Sequence, residues 1–267
     1  MIKLVVSDLD GTLLRKEKQR LEPETLELIR CLQEQGVIFA AASGRQYPNM
    51  YRMFESAIGN MYFICENGSL VMHQGKVCSK KSIDRNVGME LINDILDTED
   101  AEVLISGETT SYIIPKKEAY EDFLIDLVKN NITTITDARQ IQEDFIKISA
   151  FWQGNNNIPK DLEEHLRRKY SDRLQAVVSG NEWLDFIPLD AGKGNALTYL
   201  MDDLGISKEE TMVFGDNEND ISMLLLTDNS YVMSHASDNI KQFGKKECRY
   251  VDDVLKLLIE ESCMNYK

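Results

Sequence analysis

Four short, near-continuous apolar runs recur along the chain, at residues 2–6, 37–42, 61–65 and 212–214. Runs this short and this uniformly apolar mark strands buried on both faces, not the alternating strands of a half-exposed sheet. Helical patterns fall between several of them. One begins near Pro23, puts Leu28, Ile29 and Leu32 on one face and stops at Gly36. Another follows Lys193, with Leu197, Leu200, Met201 and Leu204 at helical spacing and Gly205 as its stop. A last one covers about residues 252–261 through Val254, Leu257 and Leu258. Strands alternating with helices imply a mainly parallel sheet with helices on both faces, a doubly wound, Rossmann-like α/β core.

The middle of the chain reads differently. Residues 69–72 and 76–79 flank His73-Gln74-Gly75, a hairpin signal. Beyond it, amphipathic helices around residues 86–96, 116–129 and 159–169 alternate with short strands near 102–106, 111–114, 146–152, 174–179 and 183–187. Turns at Gly107 and Gly180 pair those strands, which implies an antiparallel sheet carrying helices on one face. The expected organisation is a discontinuous core over 1–82 and 188–267, with an α+β domain inserted at 83–187.

Composition narrows the function. The 267 residues are 43% apolar and 28% charged, ordinary for a globular chain with a real core. Net charge is 30 − 45 = −15, which disfavours nucleic acid as a partner because phosphate backbones need surplus Lys and Arg. No apolar run approaches the roughly 18 residues of a membrane span, and the N-terminal stretch lacks the layout of a signal peptide. Cys31, Cys65, Cys78, Cys248 and Cys263 are scattered and form no Cys-x-x-Cys pair, so free thiols in a reducing cytoplasm are expected. His73, His165 and His235 lie far apart and read as incidental. Nothing in the chain specifies an oligomer.

The polar residues collect where the buried runs end. The first run leads into Ser7-Asp8-Leu9-Asp10-Gly11-Thr12, the second into Ser43-Gly44-Arg45, the third into Glu66-Asn67-Gly68 and the fourth into Gly215-Asp216-Asn217-Glu218-Asn219-Asp220. In an open parallel sheet, ligands bind beyond the carboxyl ends of the strands, so these clusters make one site. An extended chain would point Asp8 and Asp10 to the same side, with Gly11 permitting a sharp exit and Thr12 bonding back to hold the loop. Asp8 and Asp216, brought together, would repel each other without a cation between them. Oxygen ligands with no His or Cys nearby suit Mg²⁺, which takes one or two carboxylates plus a substrate phosphate. Ser43 offers a hydroxyl, Gly44 an unobstructed backbone N–H, and Lys193 a positive charge at a helix start.

Each residue alone has a plainer explanation: Asp216, Asn219 or Asp220 as helix caps, Ser-Gly-Arg as a turn, Lys193 as a solvated surface charge. Jointly they do not. Asp-x-Asp-Gly-Thr and Gly-Asp-x-x-Asn-Asp, in order and each after a buried strand, should coincide by chance about once in 10⁵ chains of this length. The stretch Gly192-Lys193-Gly194 lacks the upstream Gly and the following Ser or Thr of a Walker loop, and no Gly-x-Ser-x-Gly elbow occurs.

Asp8-Leu9-Asp10-Gly11-Thr12, Ser43-Gly44-Arg45, Lys193 and the Gly215 to Asp220 cluster resemble the four motifs of the haloacid dehalogenase superfamily. The large insert after Glu66-Asn67-Gly68 resembles that of the Cof-type phosphatases, whose inserted domain is a type IIB cap. The resemblance implies a Mg²⁺-dependent phosphatase of small phosphorylated metabolites: sugar phosphates, pyridoxal phosphate, flavin mononucleotide or nucleotides. It implies Asp8 as nucleophile and metal ligand, Asp10 as general acid/base with its backbone carbonyl on the metal, and Asp216 as the second carboxylate ligand. Leu9 (through its backbone), Ser43, Gly44, Lys193 and Asn219 would hold the phosphate. Thr12, Arg45, Asn67 and Asp220 are candidate supporting residues, Asn67 facing either the substrate or the cap. Two stretches depart from the family pattern, at Pro188-Leu189-Asp190-Ala191-Gly192 and at Ser230-Tyr231-Val232-Met233-Ser234-His235-Ala236.

Three other readings compete. A phosphotransferase or mutase on the same fold would pass the phosphoryl group to a second sugar. A phospho-acceptor signalling domain would keep a stable acyl phosphate, against which the Asp8/Asp10 pair and the large insert both argue. A non-catalytic binding protein would have no use for the full motif set.

Overall fold

The computed structural model of the chain describes residues 1–15, 20–152, 158–179 and 182–265. Strands in chain order are β1 (Leu4–Asp8), β2 (Ile38–Ala42), β3 (Tyr62–Cys65), β4 (Leu70–His73) and β5 (Lys76–Lys80). There follow β6 (Ala101–Ser106), β7 (Ser111–Ile113), β8 (Ile132–Thr134), β9 (Lys147–Trp152), β10 (Leu174–Ser179) and β11 (Trp183–Pro188). The last three are β12 (Thr211–Gly215), β13 (Ser230–Met233) and β14 (Lys246–Cys248). The chain divides into two compact units, Met1–Ser79 with Gly192–Lys267, and Lys80–Ala191. The join expected at 187/188 falls inside β11, where Pro188 pairs with Leu174 in the second unit's sheet.

The first unit is built on an eight-stranded sheet in the order β14-β13-β12-β1-β2-β3-β4-β5. Its pairs from β14 through β3 are parallel, and β3 with β4 is antiparallel. The four apolar runs are its central strands. Val6 stands beside Ala40 on one side and Val213 on the other. Along β1, Leu4 and Val6 pack on one face while Val5 turns to the opposite face, and all three are fully buried, as a doubly covered strand requires. The helix Lys193–Leu204 covers the Leu4 and Val6 face with Ala196, Leu197, Leu200 and Met201. Burying Leu197 and Leu200 completely is worth about 1.5–3 kcal/mol each. The helices Pro23–Glu34 and Val251–Asn265 are tied to each other by a hydrogen bond from Thr25 Oγ1 to Asp252 Oδ1 of 2.9 Å. Because β12 and β2 leave β1 in opposite directions across the sheet, their carboxyl ends open the crevice in which such sheets bind ligands.

The second unit holds a six-stranded sheet in the order β10-β11-β9-β6-β7-β8, antiparallel except for the parallel β7–β8 pair. Gly107 N donates to Thr110 O (2.9 Å) in the β6–β7 turn; Gly180, the other expected turn glycine, lies outside the described residues. Helices cover both faces of this sheet, not one. Ile148, Ala150 and Trp152 of β9 belong to the cluster that contains Leu91 and Ile92 of the helix Arg85–Asp97 and Leu166 of the helix Lys160–Tyr170. Phe151, pointing the other way, packs with Leu104, Ile113, Tyr120 and Leu124. The alternation leaves Phe151 and Leu104 needing cover of their own, and the helical segment from Glu118 supplies it. Among the described residues no helix is long and apolar enough to cross a membrane.

Candidate active site

Asp8 is the last residue of β1 and is 5% exposed. Past it the chain folds back on itself, with Leu14 N donating to Leu9 O (2.7 Å) and Gly11 N to Leu14 O (3.0 Å). Gly11 has φ +92°, and a Cβ there would stand 2.5 Å from Asp216 Oδ2. Only glycine lets the β1 loop come this close to the β12 loop. Thr12 bonds back within its own loop as expected through its N–H, which donates to Leu9 O at 3.3 Å, but its side chain does not. Its Oγ1 donates across to Asp216 Oδ1 at 2.9 Å, joining the two carboxyl-end loops.

Lys193 is the first residue of its helix and is 1% exposed, so it is no solvated surface charge. Its Nζ donates to Asp8 Oδ1 at 2.5 Å and to Asp220 Oδ1 at 2.7 Å. Asp220, fully buried, accepts at its other oxygen from Asp216 N (3.0 Å) and Asn217 N (3.1 Å). It therefore holds the lysine and shapes the β12 loop at once. Burial pushes the Lys193 ammonium down, but the charges of Asp220 and Asp8 more than offset it and hold its pKa above the ordinary value. Burial, then the charge of Asp220, raises Asp8 well above the usual carboxylate range against the pull of Lys193. Asp216 is raised as well, by burial and then by Asp220.

One ammonium among three acids leaves the cluster with surplus negative charge, and its geometry fits a divalent cation. Asp8, Asp216 and Asp220 each offer an oxygen within 4.8 Å of the others. Asp8 Oδ2 is buried and has no hydrogen-bond partner, a costly state for a carboxylate oxygen unless a ligand meets it. Both oxygens of Asp220 are engaged by Lys193 and the backbone, which leaves Asp8 and Asp216 with capacity for an ion. Oxygen donors of this kind match Mg²⁺.

The two aspartates of the first motif do not share partners. β1 ends at Asp8, so strand alternation does not carry through to Asp10, which is exposed. Arg45 grips the Asp10 carboxylate, Nε at 2.8 Å from Oδ2 and Nη2 at 2.6 Å from Oδ1. Ser43 Oγ donates to the same Oδ2 at 3.2 Å. The carboxylate of Asp10 is thus outside the buried acidic trio, and a part in metal binding would fall to its backbone carbonyl.

The loop after β3 closes the cluster. Asn67, 1% exposed, adopts the left-handed region (φ 55°, ψ 30°), and its N–H donates to Ser43 O at 3.0 Å. Its Oδ1 accepts from Asn219 Nδ2 at 3.0 Å, tying the third loop to the fourth. Gly44 lies against this amide: a Cβ there would stand 3.1 Å from both its nitrogen and oxygen. Gly68, with φ +91°, packs so tightly that a Cβ would come within 2.3 Å of the Gly192 backbone, just ahead of Lys193. Leu9 is fully buried, so its side chain is unavailable to a ligand.

Residues 5–258 match the sequence family described as haloacid dehalogenase-like hydrolase. The chain belongs to that family. This haloacid dehalogenase-like hydrolase is similar to the 5-amino-6-(5-phospho-D-ribitylamino)uracil phosphatase of Escherichia coli, at 24% identity over 244 residues, covering 91% of this chain and 89% of the relative. The HMP-PP phosphatase of Serratia proteamaculans is 27% identical over 245 residues, covering 90% of this chain and 87% of its own. A solved structure of a haloacid dehalogenase-like hydrolase from B. subtilis superimposes with a TM-score of 0.83 at 22% identity, over 96% of this chain and 100% of that one. The family makes the chain a hydrolase, and both of these relatives are phosphatases by name.

One residue of the hydrolase's site escaped the sequence reading. His235, which the sequence alone marks as incidental, places Nε2 3.5 Å from Asp216 Oδ2. It follows β13, another parallel strand of the same sheet, so the carboxyl-end rule that gathered the other loops applies to it too. Four residues are too few for β13 to carry a strand pattern, so spacing alone does not reveal the loop that follows it.

Proposed function

We propose that this hydrolase is a Mg²⁺-dependent phosphatase of small phosphorylated metabolites and that it works through an aspartyl-phosphate on Asp8. The observation that carries the reading is the unpartnered, buried Asp8 Oδ2 beside a charged lysine and a second acid. Mg²⁺, held by Asp8, Asp216 and the Asp10 carbonyl, would offset charge on the phosphoryl oxygens. Asp8 attacks phosphorus, the phosphorus–oxygen bond to the leaving group breaks, and Asp10 gives its proton to the departing alkoxide. Asp10 then takes a proton from water, whose oxygen attacks phosphorus and releases inorganic phosphate and the free Asp8 carboxylate. Arg45 and Ser43 hold Asp10 as the carboxylate, the form that would take the proton from water. Lys193 neutralises charge at Asp8 and on the phosphoryl group, while Ser43, Gly44, Asn219 and the Leu9 backbone orient the latter.

The names of the relatives support substrates in which a phosphate or diphosphate is carried by a small organic metabolite. Phosphate release across a panel of sugar phosphates, nucleotides and phosphorylated cofactors, with Asp8→Asn as blank, tests the reading. Release with Mg²⁺ that stops in EDTA and returns on adding Mg²⁺ is expected. Equal release by Asp8→Asn, or release that survives full chelation, would contradict it.

A further inference from the structure

Asn67 holds two strand-end loops at once, and both loops carry groups that the proposed mechanism gives to the phosphate. Its backbone N–H donates to Ser43 O at 3.0 Å, and its Oδ1 accepts from Asn219 Nδ2 at 3.0 Å. It is buried in the left-handed region, which asparagine enters more readily than most residues. The bond to Asn219 fixes which end of that half-buried amide is nitrogen. An amide nitrogen carries two N–H groups, and a phosphate oxygen can accept from the second. An amide held in place beforehand gives up less rotamer freedom on gripping a ligand than a mobile one does.

Gly44 supplies an independent observation. Its φ is not in the left-handed region, so its backbone does not demand glycine. Space does. The three atoms nearest to a Cβ there are Nδ2 (3.1 Å), Oδ1 (3.1 Å) and Cγ (3.4 Å) of Asn67. Carbon contacts settle at about 3.5–4.0 Å, so a methyl group would push that amide aside. Glycine and alanine offer a phosphate the same backbone N–H, so the missing side chain serves the Asn67 amide. We infer that Asn67 is a positioning residue that orients the Asn219 amide for the phosphoryl group, and that residue 44 is glycine to admit it. The inference rests on the proposed phosphatase reading and deepens it by naming a residue that acts through Asn219.

Double-mutant cycles on the full chain test it, read by calorimetric binding of inorganic phosphate with Mg²⁺ and by hydrolysis of para-nitrophenyl phosphate. Asn67→Gly removes the amide and keeps the left-handed backbone. It should lower phosphate affinity and kcat/KM about tenfold each, but less than about twofold in an Asn219→Ala background, where no amide is left to orient. Asn219→Ala should itself cost at least about tenfold in kcat/KM. Gly44→Ala should cost about three- to tenfold alone, and less than about twofold further in Asn67→Gly or in Asn219→Ala. Because it leaves Asn67 in place, its cycle with Asn219→Ala decides the matter if Asn67→Gly does not fold. Losses carried undiminished into Asn219→Ala would overturn the proposal, since a purely structural part for Asn67 is additive. An undiminished Gly44→Ala loss in Asn67→Gly would overturn it too, tying the glycine to the phosphate, as would wild-type behaviour of Asn219→Ala. A wild type that neither binds phosphate nor hydrolyses the ester would overturn the phosphatase reading, and this inference with it.

Discussion

Lys193 Nζ stands 2.5 Å from Asp8 Oδ1, a buried contact between residues 185 positions apart in the chain. The lysine is fully buried and also bonds Asp220, so its charge is balanced only by carboxylates. Replacing it with methionine leaves Asp8 and Asp220 as uncompensated buried acids. Lys193→Met should lose about 3–5 kcal/mol of stability, measured by urea denaturation at neutral pH. Protonating Asp8, whose pKa already lies well above the usual range through burial and Asp220, relieves that repulsion, so the deficit should shrink as pH falls. A deficit that grows on acidification would contradict the charge balance described.

Gly68 and Gly36 offer a controlled comparison. Both have positive φ, +91° and +81°, but a Cβ on Gly36 meets nothing within 4 Å while one on Gly68 meets the Gly192 backbone at 2.3 Å. Gly36→Ala should cost about 1–2 kcal/mol, the backbone penalty alone. Gly68→Ala should cost more and lower kcat, because relief of the clash has to move the start of the Lys193 helix. Equal costs with unchanged kcat would show that the close approach does not position the lysine.

Cys248 is 8% exposed, and burial pushes its thiol up to about 12 from 9.0. Between those values the unfolded chain ionises and the folded one does not, so folding stability falls as pH rises past 9.0. Cys248→Ala should remove that part of the alkaline decline when denaturation curves at mildly and strongly alkaline pH are compared. In the native protein, alkylation followed by peptide mass spectrometry should modify Cys31 and Cys78, both partly exposed, well before Cys248. Early modification of Cys248 would contradict its burial.

The core sheet was legible because parallel strands covered on both faces leave continuous apolar runs, and the site was legible because each run ends in a polar, glycine-containing loop. That logic placed Asp8, Asp216, Ser43 and Asn67 at one edge without any contact being known, and Lys193 joined them as a positive charge at a helix start. It could not reveal which polar atoms meet. Thr12 reaching across to Asp216, Arg45 gripping Asp10, and Asp220 bridging Lys193 to the β12 loop depend on side-chain directions that spacing does not encode. The strands β13 and β14, of four and three residues, are too short to carry a pattern, and with β13 went the means to place His235. In the second unit the helical segment from Glu118 was visible, but not that Tyr120 and Leu124 would cover the opposite face of the sheet.

The claim on which the chemistry turns is that Asp8 itself carries the phosphoryl group. Asp10→Asn, which by the proposed mechanism should slow hydrolysis of the acyl phosphate, should be mixed with substrate and Mg²⁺, quenched in acid, reduced with borohydride and digested for mass spectrometry. Reduction of an acyl phosphate converts aspartate to homoserine, and the account predicts that conversion at position 8, dependent on substrate. Steady phosphate release by the wild type, with position 8 still aspartate in every quenched sample and the modification at another residue, would contradict it.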